Sequence, residues 1–204
     1  KMRTGWSVQV KNALNIARAA ESAGVQMVTV HGRTREQGYK GAAEYATIAA
    51  VKAALRIPVV ANGDIDSPHK AQAVLRATGA DALMIGRAAQ GRPWVFREIA
   101  HYLHTGALLA PPLVLEVRRA LLAHLQDHYG LYGEFTGVRS ARKHIGWYVR
   151  DLPGGDAFRA RMNGIDSAPL QWQLVADYFE ELADGHERLP TALADQPTGA
   201  LEAR

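Results

Sequence analysis

The residues most able to do chemistry stand at the ends of short apolar runs, just before or within turns. In chain order they are Lys1, Arg3, His31, Asn62, Gly63, Asp64, Gly86 and Arg87. Glycine lets a phosphate approach the backbone closely, and an arginine can meet that phosphate with two charged hydrogen bonds. Gly86 and Arg87 therefore indicate a phosphate site, although the same two residues also fit an ordinary βαβ unit with glycine turns.

The two N-terminal cations and the histidine each have two interpretations. Lys1 and Arg3 lie on the same side of an extended segment, because strand side chains repeat every two residues. They would then point at one place, but a solvated N-terminus also explains them. His31 follows an apolar run, which is a functional position in some folds, whereas a lone histidine is commonly a hydrogen-bonded structural residue.

The segment 58–85 predicts the elements that position these side chains. Residues 58–61 form a short β-branched run, which is typical of a buried parallel strand. Ser67 then offers a helix N-cap, Gly79 stops that helix, and residues 82–85 read as the next strand. Polar residues at the carboxyl ends of successive parallel strands are typical of a (β/α)8 barrel, where phosphate commonly binds after the last two strands.

Two further helices are predicted in this part of the chain. Residues 8–23 have the period of a helix that ends at Gly24, and residues 93–103 read as the last helix of the barrel. The inward-facing residues predicted for the first are Leu14, Ile16, Ala17 and Ala20, and those predicted for the second are Trp94, Val95, Ile99 and Leu103.

A linker at residues 105–112 divides the chain. We predict a barrel portion over residues 1–110, a small helical domain over residues 111–184 and a loose tail over residues 185–204. Within the second domain, the period predicts helices at residues 113–129, 136–149 and 170–182, with a turn at 151–155.

Composition limits the classes of protein that the chain can represent. Its 204 residues are 48% hydrophobic, enough for one domain or two small ones, and it contains no cysteine, so disulfides are excluded. No apolar run reaches membrane-spanning length and no signal peptide is visible, which predicts a cytoplasmic protein without a membrane partner. The net charge of +4 is ordinary for such a protein.

One predicted helix of the second domain carries a basic face. Arg139, Arg142 and Lys143 are three and four residues apart and share that face, with His144 beside them. A solvated surface and a nucleic-acid footprint both fit this pattern. The pairs His101 with His104 and His124 with His128 have spacings that could hold a metal, but no carboxylate or cysteine motif accompanies them, so we predict no metal site.

Four motifs together make a family resemblance. HGRTREQGYKG, PVVANGDI, TGADALMIGRAAQGRPWVFREI and RKHIGWY resemble the tRNA-dihydrouridine synthases, in particular their bacterial B-type branch, from Lys1 to about Leu182. The resemblance implies an FMN-binding barrel followed by a helical tRNA-binding domain. The implied activity is reduction of tRNA uridine to dihydrouridine, with NADPH as the reductant of FMN and a flipped uracil as the acceptor.

The resemblance also implies roles for single residues. Arg3 and His31 would line the flavin and uracil pocket as catalytic residues, and Lys1 and His31 would contact the flavin. The implied ligands of the ribityl phosphate end are Asn62, Gly63, Asp64, Gly86 and Arg87. Arg139, Arg142, Lys143 and His144 would bind tRNA phosphate.

The sequence departs from the family at its start. The first barrel strands and a cysteine acid that the family carries have no counterpart, so we expect the chain to be the C-terminal part of such an enzyme. Alone, it is then expected to be inactive and to self-associate, whereas the intact enzyme is expected to be a monomer. Two alternatives stay open: another FMN-dependent or phosphate-binding barrel oxidoreductase that acts on a small metabolite, and a non-catalytic RNA-binding fragment.

Overall fold

The computed structural model describes residues 1–190 and divides the chain into two compact units, Lys1–Leu109 and Ala110–Arg204. The first unit is an α/β structure and the second is helical. Among the described residues, none of the helices combines the length and the apolar character that crossing a membrane requires.

A four-stranded parallel sheet forms the centre of the first unit. Its strands lie in chain order: β1 (Met2–Arg3), β2 (Val28–His31), β3 (Val59–Asn62) and β4 (Ala82–Met84). β2 and β3 are buried along almost their whole length. Runs such as Val59-Val60-Ala61 suit this position, because a strand covered on both faces has no solvent side to reserve for polar residues.

Helices cover the sheet and connect its strands in the expected strand-helix-strand order. They are α1 (Ala13–Ser22), α2 (Ala46–Ala54), α3 (Pro68–Thr78) and α4 (Val95–Thr105), with a single 3-10 turn at Arg87–Ala89. Their buried residues join those of the strands in one apolar core. The parallel strands and intervening helices confirm the predicted α/β class.

The boundaries of α3 follow the sequence signals. The Ser67 hydroxyl accepts a hydrogen bond from the backbone N–H of Lys70 at 3.3 Å, and Pro68 occupies the first turn. Gly79 ends the helix in the left-handed region, at φ 65°. Ala71 and Val74 are buried and belong to the apolar core.

Two of the predicted helical faces are partly wrong. α1 begins at Ala13 rather than residue 8, because residues 6–10 form a turn in which the Trp6 N–H donates to the Val10 carbonyl. Ile16 faces outward and is 50% exposed, and the buried residues of the helix are Ala13 and Ala17. In α4, Val95 and Ile99 are buried, but Leu103 near the end of the helix is exposed.

The second unit is built on a helical hairpin. α5 (Val114–Tyr148) is interrupted at Gly133, whose φ of 71° and ψ of 167° are not helical. Its two arms correspond to the helices predicted over residues 113–129 and 136–149. α6 (Gly155–Met162) and α7 (Ala168–Gly185) follow, and α6 is a helix that the periodicity did not predict.

Residues 186–190 pair with the beginning of the hairpin. Val114 N–H donates to the Glu187 carbonyl at 3.0 Å, and Leu189 N–H donates to the Pro112 carbonyl at 2.9 Å. These residues belong to the segment that we expected to be a loose tail. Residues 191–204 of that segment lie outside the described residues.

Candidate functional site

The strand register brings the predicted strand-end residues into one row. Arg3 pairs with His31, His31 pairs with Asn62, and Asn62 pairs with Met84. In a parallel sheet all carboxyl ends lie at the same edge, so the residues that follow each strand also meet there. We call this edge, formed by Arg3, His31, Asn62, Met84 and the loops that follow them, the rim.

His31 is held in one orientation by Asn62. The Asn62 Nδ2 donates to the Met84 carbonyl at 2.7 Å, so the Asn62 Oδ1 is the atom that faces the His31 Nδ1 at 2.9 Å. An amide oxygen can only accept, so the His31 Nδ1 must carry the proton. In the neutral ring the Nε2 then has a free lone pair.

The His31 Nε2 is a buried atom without a hydrogen-bond partner among the described residues. Burial is the main factor that lowers the pKa of His31; the bond to Asn62 opposes it, and the positive charges of Arg3, Arg33 and Lys1 lower the pKa further. His31 is therefore neutral at pH 7. Buried polar atoms are nearly always paired in folded proteins, so this nitrogen marks a place for a group that can donate a hydrogen bond.

Gly63 allows the loop after β3 to pass close to the loop after β2. Its φ is 127°, and a Cβ at this position would lie 2.8 Å from the Ala43 Cβ. Both the backbone conformation and the lack of space therefore require glycine. The Tyr45 hydroxyl donates to the Gly63 carbonyl at 2.9 Å and fixes the loop from the other side.

Arg33 joins three segments of the rim. Its Nη1 and Nη2 donate to the two carboxylate oxygens of Asp64 at 2.8 and 2.7 Å, and its Nε donates to the carbonyls of Lys40 and Gly41 at 3.2 Å. The Arg33 side chain is only 3% exposed. A paired, bidentate geometry is what makes such a buried cation tolerable.

Asp64 connects the buried Arg33 to the exposed Arg87. The Arg87 Nη2 lies 3.0 Å from the Asp64 Oδ1, and the guanidinium also lies over the Tyr39 ring at 5.1 Å. Burial acts to raise the pKa of Asp64, but the hydrogen bonds from Arg33 and the Ala43 amide and the charges of Arg33 and Arg87 outweigh it. The net result is a lowered pKa, so Asp64 is ionised at neutral pH.

Gly86 and Arg87 form an open corner next to this network. Gly86 precedes the 3-10 turn, and a Cβ at its position would have no neighbour within 4 Å among the described residues. The Arg87 side chain is 57% exposed. This corner can therefore admit an anion to a backbone N–H and a guanidinium together.

The two N-terminal cations lie on the same side of the rim. Arg3 is partly buried, and its Nη1 donates to the carbonyls of Thr34 and Gly38 at 2.9 and 3.0 Å. Lys1 is exposed, and its charge contributes to the lowered pKa of His31. The structure thus places Lys1, Arg3 and His31 near one another.

The predicted basic face of the second unit contains residues of three kinds. Arg139 and Lys143 are exposed and lie over the rings of Phe135 and Trp147, at 3.8 and 5.1 Å. Arg142 is instead held by the Ile165 carbonyl at 2.8 Å and the Asp166 carboxylate at 2.6 Å. His144 turns toward the first arm of the hairpin, where its ring lies 4.9 Å from that of His124.

Arg33 is a residue of the candidate site that the sequence analysis did not single out. A signal for it nevertheless exists, since Arg33 follows His31 by two residues and Asp64 follows Asn62 by two residues. Because His31 and Asn62 pair in the sheet, opposite charges at the same offset are expected to meet.

Comparison with known proteins gives a family match over most of the chain. The family model described as dihydrouridine synthase (Dus) matches residues 1–183. Wild-type GGGPS from Thermoplasma volcanium, a solved structure, has a TM-score of 0.36 and 22% identity, covering 48% of this chain and 39% of that chain. A similarity this low carries no structural argument.

Two curated relatives carry the same printed name, "tRNA-dihydrouridine synthase B". The protein from Xanthomonas axonopodis pv. citri is 56% identical over 195 residues, which is 96% of this chain and 58% of the relative. The protein from Pseudomonas putida is 56% identical over 181 residues, which is 89% of this chain and 54% of the relative. The chain thus spans a little over half the length of these relatives.

Proposed function

Since the chain belongs to the dihydrouridine synthase family, we propose that it forms part of an FMN-dependent enzyme that reduces uridine in tRNA to 5,6-dihydrouridine, with NADPH as the reductant. The observation that carries this proposal is the unpaired, buried Nε2 of His31, which lies in the strand-end row of the rim. A planar heterocycle with N–H groups would satisfy that atom, which fits a flavin.

The rim also fits the phosphate end of FMN. Gly86 leaves its backbone open, and Arg87 adds an exposed guanidinium whose direction Asp64 controls. We assign Asn62 and Gly63 to the inner part of the same cofactor site, and we assign Asp64 to holding Arg87 and Arg33 in place. Lys1 and His31 would contact the flavin ring.

Bound FMN would supply hydride transfer, which no amino-acid side chain can provide. The residues of this chain would bind and orient the cofactor and the uracil, and their charges would set the electrostatic field around them. Lys1 and Arg3 place positive charge near the neutral His31, an arrangement that favours an electron-rich ring or a polarised carbonyl oxygen. The sequence contains no cysteine, so the cysteine acid that the family resemblance implies is not among its residues.

The parallel sheet is assigned to the C-terminal part of a (β/α)8 barrel. β1 and β4 are the edges of the described sheet, and each has one strand neighbour, whereas every strand of a closed barrel has two. The second unit, with its exposed Arg139 and Lys143, is assigned to tRNA binding.

The cofactor assignment can be tested in a chimera that joins the N-terminal part of the Xanthomonas relative to this chain. Replacing Arg87 with alanine removes a charged hydrogen-bond pair, so FMN binding by the apo-chimera should weaken by about 1.5–3 kcal/mol in a fluorescence titration. Arg35→Ala is the matched control, because Arg35 is an exposed arginine of the neighbouring loop.

The activity is measured separately, by tRNA-dependent NADPH oxidation and by dihydrouridine content of the tRNA. A chimera that binds FMN and oxidises NADPH without needing tRNA would overturn the proposed substrate. Unchanged FMN affinity in Arg87→Ala would overturn the phosphate site while leaving the substrate assignment intact.

A further inference from the structure

Three histidines of the second unit meet in one cluster. His124 and His128 lie on the first arm of α5 and His144 lies on the second. One ring nitrogen from each histidine lies within 4.8 Å of the others. The ring centroids of His144 lie 4.9 Å from His124 and 5.1 Å from His128.

The fold of the hairpin creates this cluster. His124 and His128 are four residues apart, so they project from the same face of the helix on successive turns. The break at Gly133 reverses the chain and brings the second arm alongside the first. Gly137 permits the close approach, because a Cβ there would lie 3.2 Å from the Tyr129 Cα.

We propose that His124, His128 and His144 form a binding site for a divalent transition-metal ion, zinc in the first instance, which clamps the two arms of the hairpin together. Imidazole nitrogens are preferred ligands of zinc, copper and nickel. A site with three histidines leaves one position of a tetrahedral zinc for water. The sequence expectation of no metal considered only pairs of histidines, and the fold supplies the third.

One hydrogen bond fixes the tautomer of His128. The Ser140 hydroxyl donates to the Thr136 carbonyl at 2.7 Å, so its oxygen accepts from the His128 Nε2 at 2.7 Å. That arrangement protonates the Nε2 and leaves a lone pair on the other ring nitrogen. A hydrogen bond from the second nitrogen of a metal-binding histidine commonly fixes its tautomer in this way.

The three rings are partly buried, and aromatic side chains border them. Burial is the largest cause that lowers the pKa of His144 to about 4, and it also lowers the pKa of His128. The rings of Tyr132 and Trp147 border the cluster, at 4.7 Å from His128 and 5.0 Å from His144. The nearby cation, Lys143, is exposed and lies over the Trp147 ring.

Small side-chain rotations would complete the site. Zinc–nitrogen bonds of about 2.1 Å place the ligand nitrogens of a tetrahedral site about 3.4 Å apart. The three ring nitrogens now lie within 4.8 Å of one another, so nitrogens at that separation must approach by somewhat more than an ångström. All three side chains are partly exposed, which leaves room for such rotation and a path for the ion to enter.

Metal binding is tested on the full chain purified without a histidine tag. Titration with zinc chloride in a calorimeter should show one saturable site, and zinc should raise the thermal midpoint while magnesium does not. Cobalt(II) should give the visible absorption of a tetrahedral nitrogen-bound ion. His124→Gln, His128→Gln and His144→Gln should each weaken zinc binding by at least about tenfold.

The matched control is His104→Gln, an exposed histidine of α4 that should leave binding unchanged. Circular dichroism of each variant without metal separates loss of the site from loss of the fold. Zinc affinity that is the same in the wild type and in all three cluster variants would overturn the proposal. Binding without one-to-one stoichiometry, or without a tetrahedral cobalt spectrum, would do the same.

Discussion

The rim of the first unit and the basic face of the second both concentrate positive charge, but they hold it differently. In the rim, Arg33 is buried and every interaction described for it is short and directed, to Asp64 and to two loop carbonyls. On the basic face, Arg139 and Lys143 are exposed and lie over aromatic rings. Only Arg142 of that face is held by directed hydrogen bonds.

This difference separates two kinds of recognition. A preorganised network can fix the position of a ligand within a fraction of an ångström, because none of its groups must be ordered when the ligand binds. Exposed cations on flexible stems attract phosphate without fixing its position, which suits an extended polyanion. We therefore propose that the rim binds a small ligand and that the basic face contacts a nucleic-acid backbone.

The largest effect is expected from removing the buried cation of the rim. Arg33→Ala leaves Asp64 without its bidentate partner and two carbonyls without a donor, so the free energy of unfolding should fall by about 3–5 kcal/mol. Urea unfolding followed by circular dichroism measures the change. Arg35→Ala, at an exposed position two residues away, should change the free energy by less than about 0.5 kcal/mol.

A loss in Arg33→Ala no larger than that in the Arg35→Ala control would contradict the contrast between the two regions. Arg33 would then contribute no more to stability than an exposed cation such as Arg35.

The same substitution should change the stability of the protein by different amounts at two glycines of the rim. Gly63→Ala forces a side chain into a backbone at φ 127° and against the Ala43 Cβ, so stability should fall by about 2–3 kcal/mol. Gly86→Ala has space for the added Cβ, so it should lack the packing cost expected at Gly63 and should lower stability by less. Its Cβ should instead hinder an anion at the open corner, which FMN titration of the chimera would detect.

The sequence predicted the row of strand-end residues because turn chemistry and β-branched runs are local signals. Asn62 ends β3, Gly63-Asp64 and Gly86-Arg87 follow their strands as expected, and the register places His31 beside Asn62. The burial of Arg33 was not predicted, because it depends on a loop that folds back to present the carbonyls of Lys40 and Gly41. The histidine cluster was missed for the same reason, since it requires the reversal at Gly133.

The basic face should affect tRNA binding through salt dependence. Neutralising Arg139 and Lys143 as a pair should lower the slope of log affinity against log salt by up to about two units, because each phosphate contact releases a counterion. Adding Arg142→Gln should lower it by less than one further unit, since Arg142 is already bound to Ile165 and Asp166. Filter binding at several salt concentrations, with the chimera and unmodified tRNA, measures the slope.

Arg18→Gln combined with Arg76→Gln is the charge-matched control for the double variant, because both are exposed arginines of the first unit. FMN content should stay the same in all these variants. An equal slope in the wild type and the double variant would mean that the basic face is a solvated surface that does not contact tRNA phosphate.

The smallest expected effect is a dependence of stability on pH that comes from the rim. The pKa of Asp64 is lowered in the folded protein, because the hydrogen bonds from Arg33 and Ala43 and the two arginine charges outweigh burial, which acts in the opposite direction. A carboxyl group with a lowered folded pKa contributes stability above its unfolded pKa of about 4, and that contribution is lost as the pH falls below it.

Asp64→Asn removes this proton linkage while keeping the shape of the side chain. The stability difference between the wild type and Asp64→Asn should therefore be constant between about pH 6 and pH 7 and should shrink as the pH falls from about 5 to 3. Urea unfolding at each pH measures the difference. A difference that stays constant down to pH 3 would mean that Arg33 does not stabilise the charged form of Asp64. The rim would then have no electrostatic preorganisation to distinguish it from the basic face.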